Sequence, residues 1–240
     1  MATELELTVT DIIQRTHDIK SFRFAFDNRV DFKAGQYMAL TLPMNGEETT
    51  KYFSFSNSPT ERGYIELTKR LTESDFSKTL NRLKTGDSAK IKMPFGSFTF
   101  EGEYDKIAFL SAGIGITPIR SMCKFVCDSK LPTDMILIFG NRTENDIAFL
   151  DDFNQMEKEN RNLRVVHTLS KPINTSAWTG KTGRVNADII REEITDHEER
   201  FFYVCGPPKM VEASVWLLAD NLHISKDRIK NELFSGYDSG

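Results

Sequence analysis

The 240-residue sequence predicts a chain of two unlike halves, an antiparallel barrel or sandwich followed by a parallel sheet wrapped by helices. Three observations predict it. In the first half apolar residues recur with a period of two, as in Phe22, Phe24 and Phe26 alternating with Ser21, Arg23 and Ala25. From Lys106 onward the rhythm becomes apolar strand, loop, amphipathic helix. The segment Gly102-Glu103-Tyr104-Asp105 is polar and lies where the period switches, which sets a boundary between residues 1–102 and residues 103–240.

In the first half, strand-like runs follow at Leu5 to Ile13, Gln36 to Leu42, Tyr52 to Phe55, Tyr64 to Thr68, Ala89 to Met93 and Ser97 to Phe100. Turn residues punctuate them at Gly35, Asn45-Gly46, Gly63, Gly86-Asp87 and Gly96. Short strands at this spacing suit a barrel or sandwich. One helix interrupts the series near Asp75 to Leu83, with Ser74 or Asp75 as cap and Phe76, Leu80 and Leu83 facing the core. Lys51-Tyr52-Phe53-Ser54-Phe55-Ser56-Asn57-Ser58-Pro59 concentrates hydroxyls and aromatics behind one cation. Alternation puts Lys51, Phe53 and Phe55 on one face and Tyr52, Ser54 and Ser56 on the other. A barrel strand with a wet face, or a wall for a flat phosphorylated ring system, would both read this way.

The second half opens with Ile107 to Arg120, an apolar strand that breaks at Gly113 and Gly115 and restarts as a helix at Pro118. Strand, glycine turn and helix N-terminus make an anion site, because glycine admits close backbone approach and the free N–H groups favour negative charge. Pro118 suits a first helical turn. Alone, Gly-x-Gly-x-x-Pro is equally an ordinary tight turn. Further strands are expected at Met135–Phe139, Leu163–Thr168, Phe201–Cys205 and Arg228–Glu232, and helices around Ile119–Cys127, Ile147–Glu159, Ala187–Glu193 and Pro208–Ala219. Ligands belong at the carboxyl ends of such strands. Trp178 to Arg184 lacks P-loop spacing and reads as an exposed hairpin-like connection.

Composition narrows the chemistry. The net charge of −4 with no basic block argues against nucleic acid, and no apolar run approaches the ~20 residues of a membrane span. The N-terminus is acidic where a signal peptide would be basic, and three cysteines are too few for a disulfide framework, so a cytoplasmic location is expected. Four scattered histidines and no cluster of four cysteines leave metal and iron–sulfur centres unsupported; Cys123 and Cys127 read as core residues.

A resemblance then covers nearly the whole chain. Lys51-x-Phe53-Ser54-x-x-x-Ser58-Pro59 is similar to the Arg-x-Tyr/Phe-Ser/Thr flavin motif of the ferredoxin–NADP reductase family. Gly86-Asp87 followed by Pro94-Phe95-Gly96-Ser97-Phe98 resembles that family's barrel closure, Gly113 to Pro118 its nucleotide loop, and Cys205-Gly206-Pro207-Pro208-Lys209-Met210 its Cys-Gly-Pro-x-x-Met segment. All occur in the family's order. The resemblance implies a six-stranded antiparallel FAD-binding barrel over residues 1–102 and a parallel-sheet NAD(P)-binding domain over 103–240.

Carried over, it implies that Phe53 packs on the flavin, that Ser54 hydrogen-bonds near flavin N5, and that Lys51, where the family has arginine, meets phosphate as a point charge. Tyr52, Thr68 and Lys69 join the flavin set. The helix near Asp75 corresponds to a phosphate-binding Gly-Gly-x-x-Ser segment; Ser77 matches it, with Ser74 and Phe76 beside it, while Asp75 would repel a phosphate. The resemblance implies FAD, ahead of FMN, as the flavin. Gly113, Gly115, Thr117, Pro118, Arg142, Cys205, Gly206, Pro207 and Met210 would hold the nicotinamide dinucleotide, with Thr117 and Cys205 at its ring. Glu232 matches a terminal Glu-x-Phe segment near both rings, and Tyr237 is a candidate ring cover. Ser54, Cys205 and Glu232 are the catalytic candidates. The donor expectation leans to NADH over NADPH, since no tight cluster of Ser170, Lys171 and Arg142 is visible in sequence.

The implied activity is hydride transfer from NAD(P)H to FAD, then electron delivery to a separate redox partner protein such as a ferredoxin or an oxygenase component. Two alternatives stand beside it: a flavin reductase that treats flavin as a loosely held substrate, and a non-catalytic electron-transfer subunit of a larger complex.

Overall fold

The computed structural model describes residues 2–27, 30–44, 46–174 and 176–234. Asn45 of the expected turn and Tyr237 lie outside the described residues.

The first half forms β1 (Thr3–Gln14), β2 (Ile19–Ala25), β3 (Tyr37–Met44), β4 (Glu47–Ser54), β5 (Tyr64–Arg70), α1 (Asp75–Arg82) and β6 (Ser88–Phe95). The six strands pair in the order β4-β3-β6-β1-β2-β5, antiparallel throughout. Just past β4 the chain bends so that Phe55 bridges Leu67 of β5 and Ser56 N–H donates to the Glu66 carbonyl at 2.9 Å. These contacts draw the edge strands together and curl the sheet into a barrel. The period-two residues Phe22, Phe24, Leu40, Phe53, Phe55 and Ile91 fill its interior.

The second half is β7 (Lys106–Ala112), α2 (Ile116–Asp128), β8 (Asp134–Asn141), α3 (Leu150–Glu159), β9 (Leu163–Leu169), β10 (Lys181–Thr182), α4 (Ala187–Glu193), β11 (Phe201–Gly206), α5 (Pro208–Trp216) and β12 (Ile229–Leu233). Its sheet is parallel, in the order β10-β9-β8-β7-β11-β12. The chain winds outward from β7 to β10, then returns to the other side of β7 at β11. That reversal opens a crevice at the carboxyl ends of β7 and β11, where a ligand is expected. One face of the sheet packs Phe109, Leu137 and Phe139 under Met122 of α2 and Phe153 of α3. The other packs Leu110, Ile138 and Val204 under Ile190 of α4 and Val211 of α5.

Four sequence expectations need correction. Ser97 to Phe100 is not a strand: Phe98 and Phe100 are buried in the second half's core beside Tyr203, so hydrophobic docking, not pairing, explains their alternation. The connection read as hairpin-like holds β10, which adds in parallel to β9. α2 begins at Ile116, two residues ahead of Pro118, which still lies in the first turn where a missing N–H is harmless. The helix expected from Ile147 begins at Leu150, because Phe149 takes a left-handed φ of 61°.

Candidate active site

Where the barrel meets the parallel sheet, a cleft of about 270 Å³ is lined by Tyr37, Tyr52, Phe53, Ser54 and Thr68 on one side and by Ile114, Thr117, Glu232, Leu233 and Phe234 on the other. The barrel wall follows from the alternation on β4. Phe53 turns inward, with its ring 5.9 Å from Phe76 of α1, whereas Tyr52 stays two-thirds exposed at 66% and packs edge-on to Tyr37 at 5.8 Å. Ser54 is buried at the end of the strand. Thr68 spends its hydroxyl inside the barrel, 2.7 Å from both Ser21 and Ser56.

The opposite wall is the glycine loop and the end of the sheet. Gly113 has φ +54° with open space around it, so glycine serves backbone conformation there. Gly115 serves close approach: a Cβ would stand 2.5 Å from the Cys205 carbonyl oxygen and the Gly206 Cα. The loop is thereby pressed onto the end of β11, and the Thr117 hydroxyl donates to the Ile114 carbonyl at 3.2 Å to fix its shape. Pro208 opens α5 behind Pro207, and Met210 follows in its first turn.

Cys205 and Glu232 are register partners on β11 and β12. Burial pushes the Glu232 carboxyl up to about 7, and its Oε2 has no hydrogen-bond partner. Burial, then the Glu232 charge, pushes the Cys205 thiol well above its usual range. Burial thus disfavours charge on both groups at the end of the sheet.

Cationic and hydroxyl groups gather on the barrel side. Burial, then repulsion from Lys51, pushes Lys69 down to about 8, so the two ammonium groups share one electrostatic environment. Lys51 itself is exposed. Ser74 caps α1 by accepting from Ser77 N–H, and Thr72 lies 3.0 Å from the Ser74 hydroxyl and 3.1 Å from that of Ser77. Phe76 belongs to the barrel core and does not reach the surface. Asp75, exposed in the first turn, is the discordant charge. An apolar-walled slot, a half-buried carboxyl of raised pKa with an orphaned oxygen, and a lysine pair fit a flat ring with a phosphorylated tail.

At the carboxyl ends of β8 and β9, the Lys171 backbone N–H donates to the Arg142 carbonyl at 2.8 Å, which joins the backbones of two exposed cationic residues that are far apart in sequence. His17, Asp18 and Asp146 have ligand-type atoms within 4.8 Å of one another, but Asp18 pairs with Arg70 at 3.3 Å and Asp146 closes the capping box of Thr143. Sequence reasoning assigned no role to Arg120, Glu61 and Asp152, which form an ion cluster between the two halves, centred on the buried Arg120 guanidinium. A lone charge among Ile116, Ile119, Met122 and Cys123 is the signal that was available.

An oxidoreductase FAD-binding domain model matches residues 6–100, and an oxidoreductase NAD-binding domain model matches residues 109–215. The chain belongs to the ferredoxin–NADP reductase-like family. It is 30% identical over 233 residues to the phenol hydroxylase P5 protein of Acinetobacter pittii, an alignment covering 95% of this chain and 65% of that protein. It is 29% identical to NADH-cytochrome b5 reductase 1 of Dictyostelium discoideum, covering 82% and 71% of the two chains. The Amycolatopsis cytochrome P450 reductase GcoB shares the fold at a TM-score of 0.85 and 24% identity, over 97% of this chain and 70% of that one. The chain thus spans about two thirds of the length of these relatives. Among the described residues no helix is long and apolar enough to cross a membrane.

Proposed function

We propose that this protein is an NAD(P)H-dependent flavoprotein oxidoreductase that passes hydride from the nicotinamide to bound FAD and then delivers electrons to a separate acceptor, such as a ferredoxin or an oxygenase component. The observation that carries this reading is the shared cleft: Phe53 and Ser54 of the barrel face Thr117 and Glu232 of the parallel-sheet half across one slot. FAD, when bound, supplies the hydride-accepting ring and the ability to release electrons.

The chain's own groups do the rest. Tyr52 and Phe53 wall the ring, and Ser54 offers a hydroxyl at its edge. Lys51 and Lys69, with the Ser74–Ser77 turn of α1, bind phosphate. The N-terminus of α2 presents free N–H groups to the dinucleotide. Burial raises the Glu232 carboxyl to about 7, so at neutral pH it opposes a negative charge developing in the cleft less than an ordinary, fully ionised carboxylate would. Similarity to an oxygenase-system protein and to cytochrome b5 reductase supports electron delivery to a partner protein.

An anaerobic visible spectrum followed by titration with NADH and then NADPH tests the reading. A bound-flavin spectrum bleached by stoichiometric nucleotide is expected; no bleaching after reconstitution with FAD would refute it. The exposure of Lys51 and the acid at Asp75 favour one second reading, a flavin reductase that releases its flavin. That protein would be colourless after gel filtration yet oxidise NAD(P)H when flavin is added.

A further inference from the structure

Arg120 lies on α2 one turn beyond the glycine loop, and its side chain is only 6% exposed. Its Nη1 donates to Glu61 Oε2 at 2.5 Å and to the Ser56 carbonyl at 3.0 Å, while Nη2 donates to Glu61 Oε1 at 3.2 Å and Nε to Asp152 Oδ2 at 2.9 Å. The next residue repeats the pattern, with Ser121 Oγ donating to the Asn57 carbonyl at 2.7 Å. Two consecutive residues of α2 thus grip two consecutive carbonyls of the segment that leaves β4. Glu61 is fixed in turn by Ser58 N–H at 2.7 Å and the Tyr64 hydroxyl at 2.9 Å. Burial alone would raise the Glu61 carboxyl, but the Arg120 hydrogen bond and charge hold it below the usual range.

The cluster continues across the junction. The Phe149 ring lies 5.6 Å from the Arg120 guanidinium and 4.6 Å from that of Arg15, which pairs with Glu66 at 3.1 Å. Phe149 holds its left-handed backbone, rare for a bulky residue, only because its surroundings fix it.

The geometry of this grip is specific to the cleft. Ser54 lines one wall and Ser56 follows two residues later; Thr117 lines the other and Arg120 follows three residues later. The Arg120–Ser56 bond is therefore a short strut between the walls. We propose that Arg120 is a positioning residue for hydride transfer, setting the separation of the Ser54 and Thr117 walls through its bonds to Ser56 and Glu61. The inference rests on the hydride-transfer reading above.

The test uses the full chain loaded with FAD, as wild type, Arg120→Gln, Arg120→Lys and Glu61→Gln. The limiting rate of flavin bleaching and the nucleotide dissociation constant are measured separately, with hydrogen–deuterium exchange on the same proteins without FAD. A reacting pair displaced by ~1 Å loses up to ~100-fold in rate, so Arg120→Gln is expected to lower the limiting rate ~10- to 100-fold. Its dissociation constant should stay within ~3-fold, since the loss is not one of uniform binding. Exchange should rise in residues 55–62 and not in β1 and β2. Lysine at 120 should recover part of the rate, and Glu61→Gln, which keeps the arginine, gives the same pattern more weakly should Arg120→Gln fail to fold. Wild-type limiting rates in folded variants would overturn the proposal. So would a rate loss that only tracks lost flavin and raised exchange throughout the protein. A wild type that binds FAD but is not bleached would overturn the hydride reading itself, and is recorded before any variant.

Discussion

Cys205 and Glu232 stand side by side at the carboxyl ends of β11 and β12, one buried thiol and one half-buried carboxyl on neighbouring parallel strands. Burial disfavours ionisation of both, the Glu232 charge adds to the effect on the thiol, and the carboxyl lacks a partner for Oε2. The consequence is a site wall whose carboxyl takes on its charge around pH 7, well above the usual carboxylate range.

That raised carboxyl makes stability pH-dependent. Between about 4.5 and about 7 the unfolded chain has released the Glu232 proton while the folded chain keeps it, so stability falls as pH rises through this window. The loss is expected to be on the order of 2–3 kcal/mol. Denaturant melts of Glu232→Gln and wild type from pH 4 to 8 should show a slope in wild type that the variant lacks.

The two loop glycines should fail differently. Gly115→Ala drives a methyl into the Cys205 carbonyl and is expected to cost roughly 1–3 kcal/mol and to abolish tight nucleotide binding. Gly113→Ala meets no atom and carries only the left-handed backbone penalty of roughly 1–2 kcal/mol. Thermal melts with and without nucleotide separate them.

Lys51→Ala removes an exposed charge that burdens Lys69. It should weaken FAD binding by roughly 1.5–3 kcal/mol, the worth of a charged hydrogen bond, with a smaller difference at high salt. Titration of flavin fluorescence at two ionic strengths reads both effects.

Arg142 and Lys171 bear on the choice of donor. If their pairing holds a 2′-phosphate, the double variant Arg142→Ala/Lys171→Ala raises KM for NADPH at least ~10-fold and leaves KM for NADH nearly unchanged, as expected for lost uniform binding. Equal effects on both nucleotides would assign the two cations to the shared diphosphate.

Much of this molecule is local and was legible as such. The period of two in Phe22-Phe24-Phe26, the switch at Lys106 and the strand–glycine–helix of Ile107 to Arg120 each record which residues face a core or which backbone angles a turn needs. The ordered motifs around Phe53, Gly113 and Cys205 identified the family for the same reason. Tertiary structure alone decided what meets across the cleft. It placed the end of β4 opposite Thr117 and Glu232, and docked Phe98 and Phe100 into the second core. It joined Arg142 to Lys171, and buried Arg120 between Glu61 and Asp152. Such neighbours are far apart along the chain and leave no periodic trace. They are set by how two separately patterned cores pack together, and by the requirement that every charge caught between them find a partner.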